Sequence, residues 1–431
     1  MKVVIIGTGY VGLPTGVGLA ELGHTVVCID KDEAKIKKLN AGQLTLFESG
    51  LEELFKKNIA AGRLTFSTTL QDHIPGADIV ILAVGTPPHP VTKEADLSFI
   101  YAAVEEVAPL LKDYTVLATK STVPVGTGDK IEAILEKTNP KADVDVVSLP
   151  EFLREGFAIH DFFHPDRIVI GTKAPKAIKT LTDLYRPLGE DIPLHIVSRR
   201  SSETIKYASN AFLAVKIHYI NEMANFCEKT GADISEVAKG MGLDSRIGPK
   251  FLQAGPGYGG SCFPKDTNAM AYMGREAGVN LSLIETTIYG NDARKQQMSI
   301  RIIEALKDIP HPKIALLGLA FKGGTDDCRE SPAVQIIGHL VGMDADLVAF
   351  DPQAVEQAKK ILGDNVNYAP DAYTAVQGAD AVVILTEWTD FKTLDWDKIK
   401  PLMRTPRVLD FRNLLDKQAL KEKGFIYQKI G

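Results

Sequence analysis

The sequence predicts an α/β protein in which two doubly wound parallel sheets are joined by a long central helix. Three observations carry this prediction: a strand–turn–helix–strand unit opens the chain, its strands recur in order in the last third, and a helical period fills the middle. A length of 431 residues suits two or three domains rather than one.

The first unit begins with an apolar strand over residues 2–6 that ends in Gly7-Thr8-Gly9-Tyr10-Val11-Gly12. A helical pattern follows as far as Gly23, and a second strand, residues 25–29, ends on Asp30. Such glycines let backbone N–H groups approach a pyrophosphate at a helix N-terminus, and an acid at this distance accepts hydrogen bonds from the adenosine ribose. Because a carboxylate repels a 2′-phosphate, the unit predicts a Rossmann-like site for NAD rather than NADP. The plainer interpretation is a tight turn between strand and helix.

The following strands are predicted at 79–84, 115–119 and 144–147, where short apolar runs suit buried strands. From Ile205 to Thr230 the apolar residues fall at helical spacing with no Pro or Gly, which predicts a long amphipathic helix. More helical pattern is found at 236–239 and 267–277, interrupted by a glycine-rich stretch at 255–261.

The last third repeats the plan of the first. Residues 313–318 parallel 2–7, residues 346–351 parallel 25–30, and residues 378–385 parallel 76–82. With prolines near both joints, the predicted domains are 1–195 (NAD-binding, Rossmann-like), 196–308 (helical, carrying the glycine-rich loop) and 309–431 (a second Rossmann-like domain). The second copy lacks a full glycine motif, so we expect it to bind a different nucleotide, with Lys322 and Arg329 offering charge for phosphates.

The composition, net charge and cysteine positions argue against several classes of protein. Hydrophobic residues make up 45% and charged residues 24%, and the net charge of -6 argues against a nucleic-acid partner. No secretory signal is visible, and no apolar run is long enough to cross a bilayer. We therefore expect no membrane partner and a cytoplasmic location. Four scattered cysteines predict neither disulfides nor zinc. His160 and His164 have a metal-compatible spacing, but their surroundings favour a loop, so no metal is expected.

One cysteine has an unusual setting. Cys262 follows several glycines, precedes a helical pattern and is close to Lys265, and both a cation and a helix N-terminus favour the nucleophilic thiolate. Cys28 and Cys227, on an apolar strand and an apolar helix, are interpreted as inert, and Cys328 in a charged loop is given no role. From these features alone, a catalytic and a structural Cys262 are equally supported.

Five ordered segments resemble the UDP-glucose/GDP-mannose dehydrogenase family over essentially the whole chain. They are Gly7–Gly12, Lys120–Thr127, Pro150–Gly156, Lys206–Asn210 and the Cys262 loop. The resemblance implies that the chain is an NAD-dependent enzyme. Such an enzyme oxidises a primary alcohol of a nucleotide sugar to a carboxylate in two hydride transfers. It implies a Cys262 thiohemiacetal, then a thioester that water cleaves, with two NADH formed per turnover.

Within this family, residues 42–51, 62–64 and 263–266 favour UDP-glucose as the substrate and UDP-glucuronate as the product. GDP-mannose and UDP-N-acetylmannosamine remain alternatives. Two other classes stay open: a two-electron hydroxy-acid or 6-phosphogluconate-type dehydrogenase without a nucleophile, and a non-catalytic nucleotide-binding protein. The yield of NADH per substrate separates the first from the proposed reaction, and tolerance of Cys262 loss separates the second.

The resemblance also implies site residues. Lys206 would stabilise the oxyanion, and Asn210, one helical turn away, would face the same side. Asp266 and Thr122 would position water, and Glu151 is a candidate in thioester hydrolysis; Asp266 could equally be a helix N-cap. Residues implied at the NAD site are Tyr10, Val11, Asp30, Lys35, Thr86, Thr122, Glu155, Lys265 and Arg329.

The sugar nucleotide would be met by a larger set: Glu151, Phe152, Leu153, Arg154, Glu155, Lys206, Asn210, Phe251, Leu252, Gln253, Ala254, Gly255, Gly259, Lys322 and Arg412. Arg246 matches an arginine that reaches a partner subunit's substrate, so a homodimer or larger homo-oligomer built through the long helix is expected. One departure is Leu149, where the family usually has Asn before Pro150. If that Asn only shapes the turn, little changes; if it orders the loop carrying Glu151, hydrolysis slows here.

Overall fold

The structure, a computed structural model, describes residues 1–431. The chain divides into two compact units: residues 1–209 with 272–277, and residues 210–271 with 278–431. No helix combines the length and the apolar character needed to cross a membrane.

The first unit is built on eight strands: β1 Lys2–Ile6, β2 Thr25–Ile29, β3 Leu64–Ser67, β4 Ile79–Leu82, β5 Thr115–Thr119, β6 Val144–Ser148, β7 Ile168–Gly171 and β8 Leu194–Val197. Its helices are α1 Gly12–Glu21, α2 Glu33–Asn40, α3 Leu51–Ala60, α4 Ser98–Val107, α5 Thr127–Thr138, α6 Ala158–Phe163 and α7 Pro175–Tyr185, with short 3₁₀ turns at Ala108–Leu110 and Arg186–Leu188.

These strands form one sheet in the order β3-β2-β1-β4-β5-β6-β7-β8. All neighbours are parallel except β6 and β7, which meet antiparallel through Ser148 and Gly171. Side chains alternate between two apolar layers, so that Val3 and Ile5 pack on one face and Val4 and Ile6 on the other. A parallel sheet covered on both faces is therefore confirmed, but the reversed direction of β7 and β8 was not predicted.

The middle of the chain is helical, as predicted. It contains α8 Arg199–Thr230, α9 Ile234–Gly242, α10 Phe263–Glu276 and α11 Ser282–Leu306. The long helix α8 has 32 residues, consistent with the absence of Pro and Gly from its pattern. Because α10 begins at Phe263, Asp266 lies in its first turn. The interpretation of Asp266 as a helix N-cap is therefore wrong.

The second unit contains six strands, β9 Lys313–Leu317, β10 Asp346–Phe350, β11 Asn367–Tyr368, β12 Ala381–Ile384, β13 Arg407–Asp410 and β14 Ile426–Lys429. Its further helices are α12 Pro332–Leu340, α13 Val355–Leu362, α14 Ala372–Ala375, α15 Thr389–Lys392, α16 Trp396–Ile399 and α17 Lys417–Glu422, with 3₁₀ turns at Gly363–Asn365 and Lys400–Leu402.

The six-stranded sheet has the order β11-β10-β9-β12-β13-β14 and is parallel throughout. The three strand pairs matched in the sequence occupy equivalent places, β2-β1-β4 in one sheet and β10-β9-β12 in the other. The predicted α/β class, with two Rossmann-like sheets joined by a long helix, is thus confirmed. One local prediction is wrong: His160 lies in helix α6 rather than in a loop, because Ala158 and Phe162 bury one face of that turn.

Candidate functional site

The turn from β1 into α1 forms a close-packed glycine cradle. Gly7 has φ +103°, and a Cβ there would lie 2.5 Å from the Ala83 oxygen; a Cβ at Gly12 would lie 1.9 Å from the Gly7 oxygen. A Cβ at Gly9, between them, would meet nothing within 4 Å. Gly7 and Gly12 therefore let the turn close, while the backbone at Gly9 stays open to a ligand. This arrangement fits a dinucleotide pyrophosphate.

Asp30 ends β2 beside this turn. Its Oδ2 accepts hydrogen bonds from the Thr8 N–H (3.0 Å), the Thr8 hydroxyl (2.6 Å) and the Lys35 ammonium (3.1 Å), whereas Oδ1 accepts only from the Asp32 N–H at 3.2 Å. Burial of the carboxyl opposes ionisation, but the hydrogen bonds from Thr8 and Asp32 and the charge of Lys35 outweigh it and lower the pKa of Asp30. The ionised Oδ1 keeps acceptor capacity for ribose hydroxyls.

Other residues expected around the cofactor lie in this first unit. The Thr86 hydroxyl donates to the Thr122 carbonyl oxygen at 3.0 Å, which joins the turns after β4 and β5. Tyr10 and Val11 lie in the glycine turn, and Glu155 lies in the loop before α6. The carboxyl ends of parallel strands are where nucleotides bind in such sheets.

Glu151 and Lys206 form a buried ion pair. The Lys206 Nζ donates to the Glu151 Oε1 at 3.0 Å, and both side chains are more than nine-tenths buried. The Lys206 ammonium also lies 5.2 Å from the centre of the Phe152 ring, which stacks on the Arg167 guanidinium at 3.7 Å. Lys206 is therefore buried and paired, not solvated on a helix face.

The loop that carries Glu151 is held by carboxylates. The Glu151 Oε2 accepts from the Leu153 N–H at 2.5 Å, and the buried Glu48 accepts from the N–H groups of Gly156 (2.7 Å) and Ala158 (2.8 Å). Leu149, where the family usually has Asn, is fully buried in the apolar layer with Phe162 and Leu153. Its side chain therefore fills the core, and hydrogen bonds from other residues order the loop.

Arg154 is engaged by its own neighbourhood. Its guanidinium Nε and Nη2 donate to the two carboxylate oxygens of Asp161 at 2.8 and 2.6 Å, and its N–H donates to the same side chain. This bidentate pair ties the loop to helix α6. We therefore assign Arg154 to loop geometry in this structure.

The second unit holds the cysteine candidate. Cys262 immediately precedes α10, whose Asp266 N–H donates to the Cys262 oxygen at 2.8 Å. Asp266 is fully buried and receives hydrogen bonds from the Asn210 amide (2.6 Å, to Oδ2) and the Lys265 ammonium (2.6 Å, to Oδ1). Asn210, Lys265 and Asp266 thus form one hydrogen-bonded cluster, and Asp266 follows Cys262 by four residues in the chain.

The other three cysteines differ from Cys262 in their burial. Cys28, Cys227 and Cys328 are buried, whereas Cys262 is partly exposed. Burial raises the pKa of the Cys28 thiol to about 12, and burial with nearby Asp351 and Asp327 raises that of Cys328 to about 12. A thiolate at neutral pH is therefore suppressed at these two positions.

The remaining substrate candidates in the second unit surround the glycine-rich loop or the β9–β12 sheet edge. Phe251 has a positive φ of 65°, and Leu252 and Ala254 are buried while Gln253 is exposed. A Cβ at Gly255 would lie 3.6 Å from Arg412, whose guanidinium donates to the Leu385 and Phe321 oxygens.

Three further basic candidates lie elsewhere in this unit. Lys322 follows Phe321 with its ammonium 5.5 Å from that ring. Arg329 is bidentate to Asp327, and Arg246 is exposed and paired with Asp244 at 2.6 Å. Arg246 therefore lies on the surface.

In the second sheet, the aspartate that follows β10 has different hydrogen-bond partners from Asp30. Asp351 follows β10 as Asp30 follows β2, but it accepts five hydrogen bonds, from the Trp388 indole and from the N–H groups of Leu319, Ala320, Gln353 and Ala354. No acceptor capacity remains for a ribose. The expectation of a different nucleotide in this unit fits that saturation.

Sequence reasoning missed several polar residues that hold these loops, namely Thr8, Glu48, Asn221, Asn291 and Arg294. Each bonds to backbone or carboxylate far along the chain. Asn291 and Arg294 share a helix face at i and i+3, which was the one local signal available. No group of three or more His, Cys, Asp or Glu side chains is arranged to hold a metal ion.

Comparison with protein families matches the chain in three parts. Residues 1–189 match the NAD binding domain of the UDP-glucose/GDP-mannose dehydrogenase family, residues 200–293 its central domain, and residues 315–417 its UDP binding domain.

Individual relatives match over the whole chain. A UDP-glucose 6-dehydrogenase of Rhizobium meliloti (strain 1021) is 51% identical, over all of this chain and 99% of the relative. The UDP-glucose 6-dehydrogenase TuaD of Bacillus subtilis (strain 168) is 44% identical, over all of this chain and 93% of the relative. A solved UDP-glucose dehydrogenase of Pyrobaculum islandicum is 35% identical with a TM-score of 0.91, covering all of this chain and 96% of that one.

Proposed function

The chain belongs to the UDP-glucose/GDP-mannose dehydrogenase family, and from this membership we propose that it oxidises UDP-glucose to UDP-glucuronate with NAD. The observation that carries the proposal is the setting of Cys262. It is the partly exposed member of four cysteines and stands at the start of a helix, next in the chain to the Asn210–Lys265–Asp266 cluster, in which Asn210 and Asp266 are buried. A two-electron dehydrogenase needs no such nucleophile.

NAD would be held by the Gly7–Gly12 turn, by Asp30 with Lys35, and by Thr86 and Thr122, with Tyr10, Val11 and Glu155 nearby. When bound, NAD supplies a hydride acceptor for each of the two oxidations. The open backbone at Gly9 and the acceptor capacity of the Asp30 Oδ1 support this assignment. Asp30 also disfavours a 2′-phosphate by charge repulsion. Lys265 and Arg329 complete the set that the family implies.

Cys262 is the proposed nucleophile. Its thiolate adds to the aldehyde carbon, forming a C–S bond while the carbonyl oxygen takes up a proton; loss of a hydride and that proton then gives a thioester. Water cleaves the C–S bond, which releases the carboxylate and restores the thiol. The covalent link retains the aldehyde while the cofactor is exchanged, so one site performs both oxidations.

Lys206 is the proposed oxyanion partner. Its ammonium is desolvated and already paired with Glu151 at 3.0 Å, so its charge is fixed in a medium where electrostatic interactions are strong. Glu151 is in turn the proposed base for thioester hydrolysis, since its Oε1 faces the lysine and its Oε2 only a backbone N–H. Asp266, held by Asn210, and Thr122 are proposed to position the water.

The sugar nucleotide is proposed to contact the loop of residues 151–155, Lys206 and Asn210, the stretch 251–255, Gly259, Lys322 and Arg412. The UDP binding domain match at 315–417 supports a uridine nucleotide in the second sheet, whose Asp351 is saturated. The proposed domains are 1–195, 196–308 and 309–431.

A homodimer is proposed through α8. Phe212, Tyr219 and Phe226 are exposed at seven-residue intervals along this helix, an apolar stripe that a second copy would cover. The exposed Arg246 fits an arginine that reaches the partner's substrate. Sedimentation of the wild type and of Phe226→Glu tests this: a monomeric wild type refutes the dimer.

The test of function is a panel of UDP-glucose, UDP-N-acetylmannosamine and GDP-mannose, assayed for NADH and for the acid produced. We expect two NADH per UDP-glucose and UDP-glucuronate as product. Cys262→Ser should abolish turnover, whereas the matched control Cys328→Ser should not, because a hydroxyl can keep the hydrogen bonds of Cys328 to the Leu319 and Ala354 oxygens. One NADH per sugar, or turnover only with another sugar, refutes the proposal.

A further inference from the structure

The glycine-rich loop, residues 255–262, is intrinsically the least constrained stretch near the cysteine. It contains four glycines, at 255, 257, 259 and 260. Glycine loses more conformational freedom on folding than any other residue, so such a loop is ordered only where other groups hold it.

The first residue of the loop is fixed from two helices. The Gly255 N–H donates to the Asn221 Oδ1 on α8 at 2.8 Å, and the Gly255 oxygen accepts from the Arg294 Nε on α11 at 3.0 Å. Both side chains are at least nine-tenths buried. Neither bond therefore competes with water.

The middle of the loop is fixed by one carboxamide. The Asn291 Oδ1 accepts from the Tyr258 N–H at 2.8 Å, and the Asn291 Nδ2 donates to the Tyr258 oxygen at 3.0 Å. Gly257 has φ +122°, and a Cβ there would lie 2.8 Å from the Asn291 Oδ1. The amide thus pairs with a whole peptide unit, and this pairing requires glycine at 257.

The far end of the loop is also packed. The Gly260 N–H donates to the Arg329 oxygen at 3.0 Å. A Cβ at Gly259 would lie 2.3 Å from the Glu330 oxygen, and one at Gly260 would lie 2.7 Å from the Phe321 ring. Residues 259–261 alone separate Tyr258 from Cys262, and two of them are closely packed glycines. A shift of Tyr258 is therefore carried on to Cys262.

The burial of Arg294 indicates that these contacts do more than stabilise the folded loop. Its guanidinium is buried, its Nη1 donates to the Asn225 side chain, and its Nη2 has no acceptor in the protein. Burial lowers the pKa of Arg294 to about 10. A buried cation held only by neutral acceptors costs free energy, whereas an apolar residue would pack here without that cost.

We propose that Asn291, supported by Asn221 and Arg294, is a positioning residue that keeps Cys262 in register to capture the aldehyde formed by the first oxidation. This rests on the proposed function. Capture forms the C–S bond and transfers a proton to the carbonyl oxygen; if the thiol is displaced, the aldehyde leaves intact after one hydride has been removed. A looser loop therefore changes how the intermediate partitions, not only the rate.

The test is Asn291→Asp, which keeps the size and one acceptor but places an oxygen against the Tyr258 oxygen. The rate at which iodoacetamide alkylates Cys262, without substrate or cofactor, should change about fivefold, as expected for the loss of one buried hydrogen bond. Aldehyde trapped by hydroxylamine during turnover should rise, and NADH per sugar should fall below two. When the introduced carboxyl is protonated at low pH, it can donate again, so the alkylation ratio to wild type should return toward one.

The matched control is Asn139→Asp, the same change at an Asn whose amide donates to the Ala108 and Leu111 oxygens in the first unit. It should leave alkylation and NADH yield unchanged. A folded Asn291→Asp with the wild-type alkylation rate and two NADH overturns the proposal. If that variant does not fold, Arg294→Lys, which keeps charge but loses the Nε donor, is held to the same criteria. A wild type that fails to oxidise UDP-glucose defeats the proposed function, while the alkylation comparison still decides the positioning role.

Discussion

Removing one partner of the buried Lys206–Glu151 pair separates its structural contribution from its catalytic one. The two side chains are 5% and 6% exposed and their charged atoms lie 3.0 Å apart. Lys206→Met leaves a buried carboxylate unpaired, and Glu151→Gln leaves a buried ammonium unpaired. Each single change should lower the free energy of unfolding by about 3–5 kcal/mol. The melting temperature should fall on the order of 10 °C.

The double variant carries no buried charge at this position, so most of that lost stability should return. Activity should behave differently. If Lys206 stabilises negative charge on the substrate oxygen, kcat falls about 100- to 1,000-fold in Lys206→Met and does not recover in the double variant. Calorimetry of the unliganded protein and NADH formation from UDP-glucose measure the two quantities.

The control for this cycle is an exposed pair. Lys179 and Asp183 lie 2.7 Å apart on α7 with the lysine 80% exposed, and Lys179→Met should change stability by less than about 1 kcal/mol. Recovery of kcat together with stability in the double variant would refute the oxyanion role, because Lys206 would then serve only to neutralise Glu151. Single variants as stable as the wild type would refute the argument from burial.

The other predictions concern the cofactor and the thiols. Cys262→Ser should lose turnover while NAD binding, measured by calorimetry, stays within about twofold of the wild type; loss of binding would show that the change disturbs the first unit. Iodoacetamide at pH 8 should label Cys262 of the native protein and leave Cys28 and Cys328 unlabelled until unfolding; labelling of either in the native state contradicts their burial. Because burial raises both of those pKa values to about 12, the folded state binds more protons than the unfolded state above pH ~9, so stability should fall between pH ~9 and ~12. Asp30→Ala should weaken NAD about 10- to 100-fold relative to NADP, since a charge-assisted hydrogen bond to ribose is lost and the repulsion of the 2′-phosphate with it; an unchanged ratio would remove Asp30 from the ribose site.

The strands at the centre of both sheets could be predicted because their signals are local. Apolar runs of four to six residues define the strands, and their recurrence after about 300 residues predicts a second sheet of the same plan. The reversal at β7 has no such signal: its strand has the same apolar composition whichever way it runs. Its direction is set by tertiary structure, namely the antiparallel pairing of Gly171 with Ser148.

The residues of the candidate site can be divided in the same way, into those with a local sequence signal and those without one. Asp30 and Cys262 were predictable because motif spacing places them at a strand end and a helix start. The burial of Lys206 was not, since its helix face reads as polar and its partner, Glu151, is 55 residues away. Glu48 bonds to a backbone group 108 residues distant, and no local pattern marks an acceptor of that kind.

The two sheets show how one strand plan can serve two ligands. Both second strands end in an aspartate, Asp30 or Asp351, so the repeat alone predicts the same ribose contact twice. In the first sheet the acid keeps one lightly used oxygen, and the turn before it stays open at Gly9. In the second, Ala320 stands where the first turn has Gly9, and the acid is filled by five donors, which include the N–H groups of Leu319 and Ala320 in the turn itself. These two N–H groups are therefore already bonded within the protein, so a nucleotide there must be held by side chains rather than by the turn's backbone.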